Sequence, residues 1–447
     1  MFFKKIHVVN NQQLTESVTM DNKLSIPDFI RQHCSDSMEN ALTAVRYTTW
    51  ERNCPELSDT DFTYLGLLRC MTPVDSGRHF IQNTKQLHDI PCPHSTYFGA
   101  FHSRRRRDML EAVSTESYKL LCTEASKHGI DYLDHFSELD GYDVEAADGH
   151  FITHACHTPQ NAKGRVFAAG FIYAMNLRNG FLNPICKVTN GTKRSHEIPC
   201  LKKWIEEECN IKNVNGKLYI YDRAAIDYKW WDKQKKNDIH MISVLKENAV
   251  TTFVKTLDFD QNDKVNIGII SYELHRKGKA QFTITTYKDP ETDKVFKFIS
   301  TLPSFFRPGI IAVLYYKRWT IEKAFNNSKS DLKERKAWSS ENSALNSQMR
   351  LTAMTYNILR LFEEISKKHN CDLIHPAVAK YNKTLNRREA RAKINCNFVN
   401  PIHFLKRIAR ISSFTVRTVQ SAIFNKYSLK WFMDKLIKYL IPRQTWN

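Results

Sequence analysis

An α/β core, interrupted by a β-rich stretch and flanked by helical regions, is the fold this 447-residue sequence predicts. Three observations carry it. Between Ile26 and about Asp140 the apolar residues recur at helical spacing, in segments broken at Asn53-Cys54-Pro55, Thr72-Pro73 and Pro91-Cys92-Pro93. From Asp143 the texture changes to strands alternating with helices. After about Asn248 that alternation stops, and four strand-like runs follow one another as far as Pro308.

In order, "YDVEAADGHFITHACH" reads as a strand whose apolar and β-branched residues precede a turn-like Asp148-Gly149. "RVFAAGFIYAMNL" and "FLNPICKVTN" read as two more, joined by a hairpin at Arg178-Asn179-Gly180. "SHEIPCLKKWIEEECN" reads as a helix capped by Ser195. "KLYIYDRAAID" is a buried strand ending at Asp222, a helix follows, and "HMISVLKEN" is the next strand. Three strands, helix, strand, helix, strand is the order of a ribonuclease-H-like core. "VTTFVKTLDF", "VNIGIISYELH", "QFTITTYKD" and "KVFKFIST" then form a β-rich insertion at about 248–308. A helix begins near Arg307-Pro308, where proline suits a first turn, and a long amphipathic helix follows from Asn342. The expected division is a mainly helical region over 1–140, the α/β core with its insertion over 141–372 and a basic helical region over 373–447. Residues 1 to about 22 read as a loose arm.

Composition narrows the partners. A hydrophobic fraction of 42% is that of a globular protein, and no apolar run is long enough to span a bilayer. The N-terminus lacks a signal-peptide pattern, so a soluble, cytoplasmic protein is expected, with no membrane partner. Eleven cysteines without a CxxC pair fit reduced thiols. The formal charge of +19 points to a polyanion, most simply nucleic acid. Of it, 15 − 3 = +12 comes from residues 371–447. Arg104 and Arg105, in a run of four arginines on a helix, are candidate contacts to a DNA backbone.

The chemistry concentrates in "YYKRWTIEKAFNNSK", residues 315–329. At about 100° per residue, Tyr315, Arg318, Trp319, Glu322 and Lys329 share one stripe, with Leu314, Ile321 and Phe325 to one side. A solvated face with intrahelical Glu–Arg and Glu–Lys pairs explains the charges but not the two aromatics. A face that grips phosphates and stacks on a sugar or base explains all five.

Tyr315, Arg318, Glu322 and Lys329 also fit the pattern Y-x2-R-x3-E-x6-K, and the surrounding text resembles IS4-type DDE transposases. Asp222 in "DRAAID" and Asp148 in "AADGH" stand where the family's first two acids are expected, 222 − 148 = 74 residues apart, with Glu322 following after 322 − 222 = 100. The resemblance implies Asp148, Asp222 and Glu322 as catalytic residues holding Mg²⁺, with Mn²⁺ able to substitute. Tyr315, Arg318, Trp319, Lys329, Arg223 and Lys246 would contact DNA. It further implies a bacterial, nucleoid-associated enzyme that cuts the ends of its own insertion sequence and joins them to target DNA, through a hairpin intermediate and a homodimer bridging two ends. A decayed, purely DNA-binding transposase and a metal-dependent nuclease are the alternatives. Asp140, Asp143 and Glu145 compete with Asp148, and Asp227 and Asp232 compete less well with Asp222. His150, His154, Cys156 and His157 raise the idea of zinc, but their spacing is not that of a zinc site.

Overall fold

The computed structural model describes residues 25–45, 56–72, 76–152, 169–188, 197–211, 216–289, 293–332, 337–339, 341–368, 413–425, 430–432 and 434–435. The N-terminal arm, Ser195, the segment carrying His154, Cys156 and His157, and most of the basic C-terminal region lie outside them.

Helices α1 (Ile26–Val45), α2 (Asp59–Met71), α3 (Gly77–His88), α4 (His94–Ala100) and α5 (Arg104–Lys127) come first. Serine side chains accept hydrogen bonds from first-turn N–H groups at three of their N-termini: Ser58 from Asp61, Ser76 from His79 and Ser103 from Arg106. Then follow β1 (Asp143–Ile152), β2 (Ala169–Asn176), β3 (Leu182–Val188), α6 (Glu197–Ile211), β4 (Lys217–Ile220), α7 (Tyr228–Lys235) and β5 (Ile239–Val244). Strands β6 (Thr252–Thr256), β7 (Ile269–Lys277), β8 (Ala280–Lys288) and β9 (Val295–Ser300) complete the β structure, before α8 (Pro308–Ser330), α9 (Asn342–Lys368) and α10 (Ser413–Asn425).

The nine strands among the described residues form one sheet, in the order β3-β2-β1-β4-β5-β9-β8-β7-β6. β1, β4 and β5 run parallel, and every other pairing is antiparallel. The β-rich stretch is thus continuous with the core sheet: β9 pairs with β5 through Ile242↔Ser300, Ser243↔Ile299 and Val244↔Phe298. Backbone pairing at the free edge of β5 satisfies groups that a separate subdomain would leave open.

Alternation along the strands divides the buried side chains between two faces. Val144, Ala146, Leu218, Ile220 and Ile242 belong to a large cluster that also holds Ile310, Leu314, Ile321 and Phe325 of α8. Ala147, Tyr219, Tyr221, Ile239 and Met241 turn the other way, onto Leu201 and Ile205 of α6 and Trp231 of α7. The large cluster runs on without a break into Ile30, Phe62, Tyr97 and Met109 of the N-terminal helices, so these pack directly against the core.

α9 is the link, and it differs from the amphipathic helix expected. From Ser343 to Ser366 nearly every residue is buried, because the helix lies between α5, α2 and β3. Several of its polar side chains find partners inside. Asn357 accepts from Leu182 N–H at 2.7 Å and donates to Leu182 C=O at 2.8 Å. Gln348 accepts from Trp338 N–H, and Arg350 pairs with Glu111 at 2.8 Å. Arg360 donates to the Tyr132 hydroxyl at 2.7 Å and lies 3.3 Å from Glu364 and 3.5 Å from Glu363. Buried charge is tolerated here because it is paired.

One glycine fixes the start of α8. Gly309 N–H donates to Asn266 Oδ1 at 3.0 Å, and a Cβ at this position would meet the Val265 carbonyl oxygen at 1.8 Å. That neighbour is backbone and cannot swing aside. Gly309→Ala is therefore expected to lower stability by about 1–3 kcal/mol, the range for forced overpacking, read as a lower urea midpoint with unchanged slope.

Candidate active site

β1 and β4 pair from Asp143↔Lys217 to Ala146↔Ile220, an offset of 217 − 143 = 74 residues. Asp148 and Asp222 are separated by the same number. Each lies two residues beyond the last pair, Ala146↔Ile220; β1 continues through Asp148, whereas β4 has ended and Asp222 caps the turn that follows it. Both have the parity of Ala146 and Ile220, which face α8. Asp222 ends its strand and turns the chain, its Oδ1 accepting from Ala224 N–H at 2.8 Å. Asp148 Oδ1 accepts from Gly149 N–H at 2.9 Å.

α8 supplies the third acid through an arginine. Arg318 donates from Nη1 to Asp148 Oδ2 at 3.0 Å and from Nη2 to Glu322 Oε1 at 2.9 Å. It is 5% exposed, and its Nε finds no acceptor among the described residues. Tyr315 packs its ring on Phe298 at 5.1 Å, with the Arg318 guanidinium 5.5 Å from its centroid. Glu322 is half in solvent, with 52% of its side chain exposed.

The electrostatics tie these groups together. Burial pushes the Asp148 carboxyl above the usual carboxylate range; Arg318 and the Gly149 N–H pull it back, and Glu322 and Asp222 push it up further. Burial raises the Tyr315 hydroxyl, with Arg318, Asp222 and Arg223 acting on it as well. The three acids thus belong to one electrostatic neighbourhood, although among the described residues no three His, Cys, Asp or Glu side chains are gathered as a metal cluster. The chemistry of the three candidates nevertheless suits a hard divalent cation: all are carboxylates, and a cationic guanidinium already lies between two of them.

The remaining candidates fall into groups. Trp319 stands out on the stripe, 42% exposed, its ring 5.1 Å from Tyr316, while Lys329 is half-buried in the last turn. Arg223 and Lys246 are exposed just beyond β4 and β5, at the end of the sheet that carries Asp222. Arg104 is exposed too, far along the chain at the start of α5. Arg105 is different: it grips Asp59 through two hydrogen bonds of 2.6 and 2.7 Å, and Arg106 joins the same carboxylate. A helix dipole would not hold these arginines at an N-terminus, and the half-buried Asp59 does so instead.

The rival acids have other partners. Asp143 pairs with Lys217, Asp227 caps α7 and pairs with Lys202, and Glu145 has the opposite strand parity to Asp148. His150 is buried against Phe325 at 4.7 Å and Tyr173 at 6.2 Å.

Lys317, next to Arg318, was not among the candidates. It is 6% exposed, donates to the Tyr132 carbonyl at 2.8 Å and lies 5.6 Å from the centre of that ring. Only its place on the inward side of α8 could have marked it.

Residues 140–358 match the model of a family described as "Transposase DDE domain", a span just under half the chain. A comparison with curated proteins gives no match. Among solved structures, the chain is similar to piggyBac transposase in a synaptic complex with hairpin DNA, at 9% identity over 96% of this chain and 88% of that one, with a TM-score of 0.37. It is also similar to the Drosophila P element transposase in a strand transfer complex, at 12% identity over 98% and 99%, with a TM-score of 0.21. Both scores are too low for shared shape to carry an argument. The family match supports a transposase function, and no helix among the described residues is long and apolar enough to cross a membrane.

Burial lowers the Lys317 ammonium from its ordinary 10.5 to about 7. The folded state therefore favours neutral lysine, so this group's contribution to stability is complete above about pH 10.5 and is lost as pH falls toward 7. Urea unfolding across that window is expected to show wild-type stability rising with pH, and Lys317→Met removing that part of the rise.

Proposed function

We propose that the protein is a DNA transposase whose catalytic residues are Asp148, Asp222 and Glu322. The observation that carries this reading is the Arg318 bridge from Asp148 to Glu322, together with the electrostatic influence of both Glu322 and Asp222 on Asp148. The order β3-β2-β1-β4-β5, with β2 antiparallel to β1 and β3, supports a ribonuclease-H-like core, and the edge-joined β6–β9 supports reading 248–308 as its insertion.

In this reading Asp148, Asp222 and Glu322 would hold Mg²⁺ or Mn²⁺. Such an ion, when bound, supplies an activated water or 3′-hydroxyl and neutralises charge developing at phosphorus. Arg318 keeps the acids from repelling one another. Trp319 offers an exposed ring for a sugar or base, Arg223 and Lys246 add positive charge just beyond β4 and β5, and Lys329 adds it in the last turn of α8. Hydrolysis of one phosphodiester frees a 3′-hydroxyl, whose oxygen then attacks a target phosphorus and displaces a new 3′ oxygen. Activity on the ends of its own insertion sequence, membership of the IS4-type subgroup, a hairpin intermediate and a homodimer bridging two ends complete the proposal.

The test uses purified protein, Mg²⁺ and a labelled duplex taken from DNA flanking the gene. Wild type is expected to cut at a defined end. Glu322→Ala is expected to lose more than the roughly 100-fold that follows removal of a metal ligand's outer partner, while still binding. Binding without cutting by wild type would replace this reading with that of a DNA-binding protein only. Cutting that survives in Glu322→Ala would remove Glu322 from the catalytic set.

A further inference from the structure

On the face of the sheet away from α8, a groove of about 620 Å³ opens between α6, the turn after Asp222, α7 and the β7–β8 hairpin. Its walls include Lys202, Asp227, Tyr228, Lys229, Lys277 and Gly278. Tyr228 forms a firm wall, its ring 5.2 Å from Phe282 on one side and 4.7 Å from the Lys277 ammonium. Lys202 is held by Asp227 at 2.5 Å, which leaves that aspartate neutralised. No carboxylate among the described residues pairs with Lys229, Arg276, Lys277 or Lys279, all of which are exposed. Unpaired cations gathered on one concave surface repel one another and attract a polyanion.

The hairpin that carries three of them is stiff. Lys277 pairs with Ala280 across a two-residue turn, and Gly278 adopts φ +63°, which such turns require. The groove also begins where the acids end: Ala224, which lines it, donates its N–H to Asp222.

We infer that this groove is a second DNA-backbone site, in which Lys229 and Lys277 each hold a phosphate of the strand that runs on from Asp222. The inference rests on the reading of the protein as one that acts on DNA, but not on its being active. A backbone site is favoured over a base pocket because the Tyr228 ring is already covered by Lys277 and Phe282. Its function is to hold DNA beyond the scissile phosphate, on the side of the sheet that the α8 stripe does not reach.

The test measures binding of the full chain to a short labelled duplex, without divalent metal, as a function of salt. Each phosphate contact contributes about 0.9 to the slope of log affinity against log salt, so Lys229→Ala/Lys277→Ala should flatten the slope by about 1.8 and weaken binding at least about tenfold at low salt. Lys119→Ala/Lys127→Ala is the control, since these lysines of α5 already pair with Glu116 and Glu124. It should leave the slope unchanged, and Lys229→Arg/Lys277→Arg should restore it. A groove variant with the wild-type slope and an unchanged thermal midpoint would overturn the inference, as would wild-type protein that binds no duplex. Loss of binding to anionic vesicles in place of DNA would also overturn it, in favour of a membrane. If the groove variant loses its two contacts while wild type cuts no DNA, the groove stands and the catalytic reading falls. Intact cutting with an unmoved slope would mean the reverse.

Discussion

Parallel pairing of β1 with β4 at an offset of 74 residues is the constraint on which the candidate site depends. Slippage by one residue would turn one aspartate to the other face of the sheet, onto α6 and α7, and slippage by two would leave the pair staggered by a full pleat. The register is held by what lies inside it. Val144, Ala146, Leu218 and Ile220 are fully buried beneath α8, and Tyr219 is fully buried on the opposite side. The site therefore inherits its geometry from the hydrophobic core, and its polar residues do not have to assemble it.

Arg318 is the second element of that arrangement. A guanidinium at 5% exposure needs compensation, and it finds two carboxylates from different parts of the chain. It thereby fixes the rotation of α8 about its own axis relative to β1. The same helix turns Lys317 inward onto Tyr132 and leaves Trp319 outward, so three consecutive residues serve the core, the acids and the surface. Such a division follows from the 100° step of a helix lying on a sheet.

Charge in this protein is sorted by whether it has a partner. The buried arginines, Arg106, Arg318, Arg350 and Arg360, all have carboxylates, while the buried Lys317 rests on a backbone carbonyl. The exposed cations around the β7–β8 hairpin have none among the described residues, and they lie on the far side of the sheet from the stripe. A net charge of +19 says nothing of this sorting.

Much of the architecture was legible in the sequence because local signals report it. Strand runs, proline and glycine breaks and the proline at the start of α8 gave element order, and Asp148, Asp222, Arg318 and Glu322 stood out through type and spacing. Pairing was not legible. Nothing local shows that β9 would lie against β5, that α9 would be enclosed on every side, or that Arg105 would find Asp59. Those contacts join residues far apart in the chain, and each forms because a buried polar group or an open sheet edge requires a partner somewhere. The sequence alone determined which residues stood out as candidates for the site. Tertiary structure alone decided which of them meet, because a register and a helix rotation are settled by packing across the sheet.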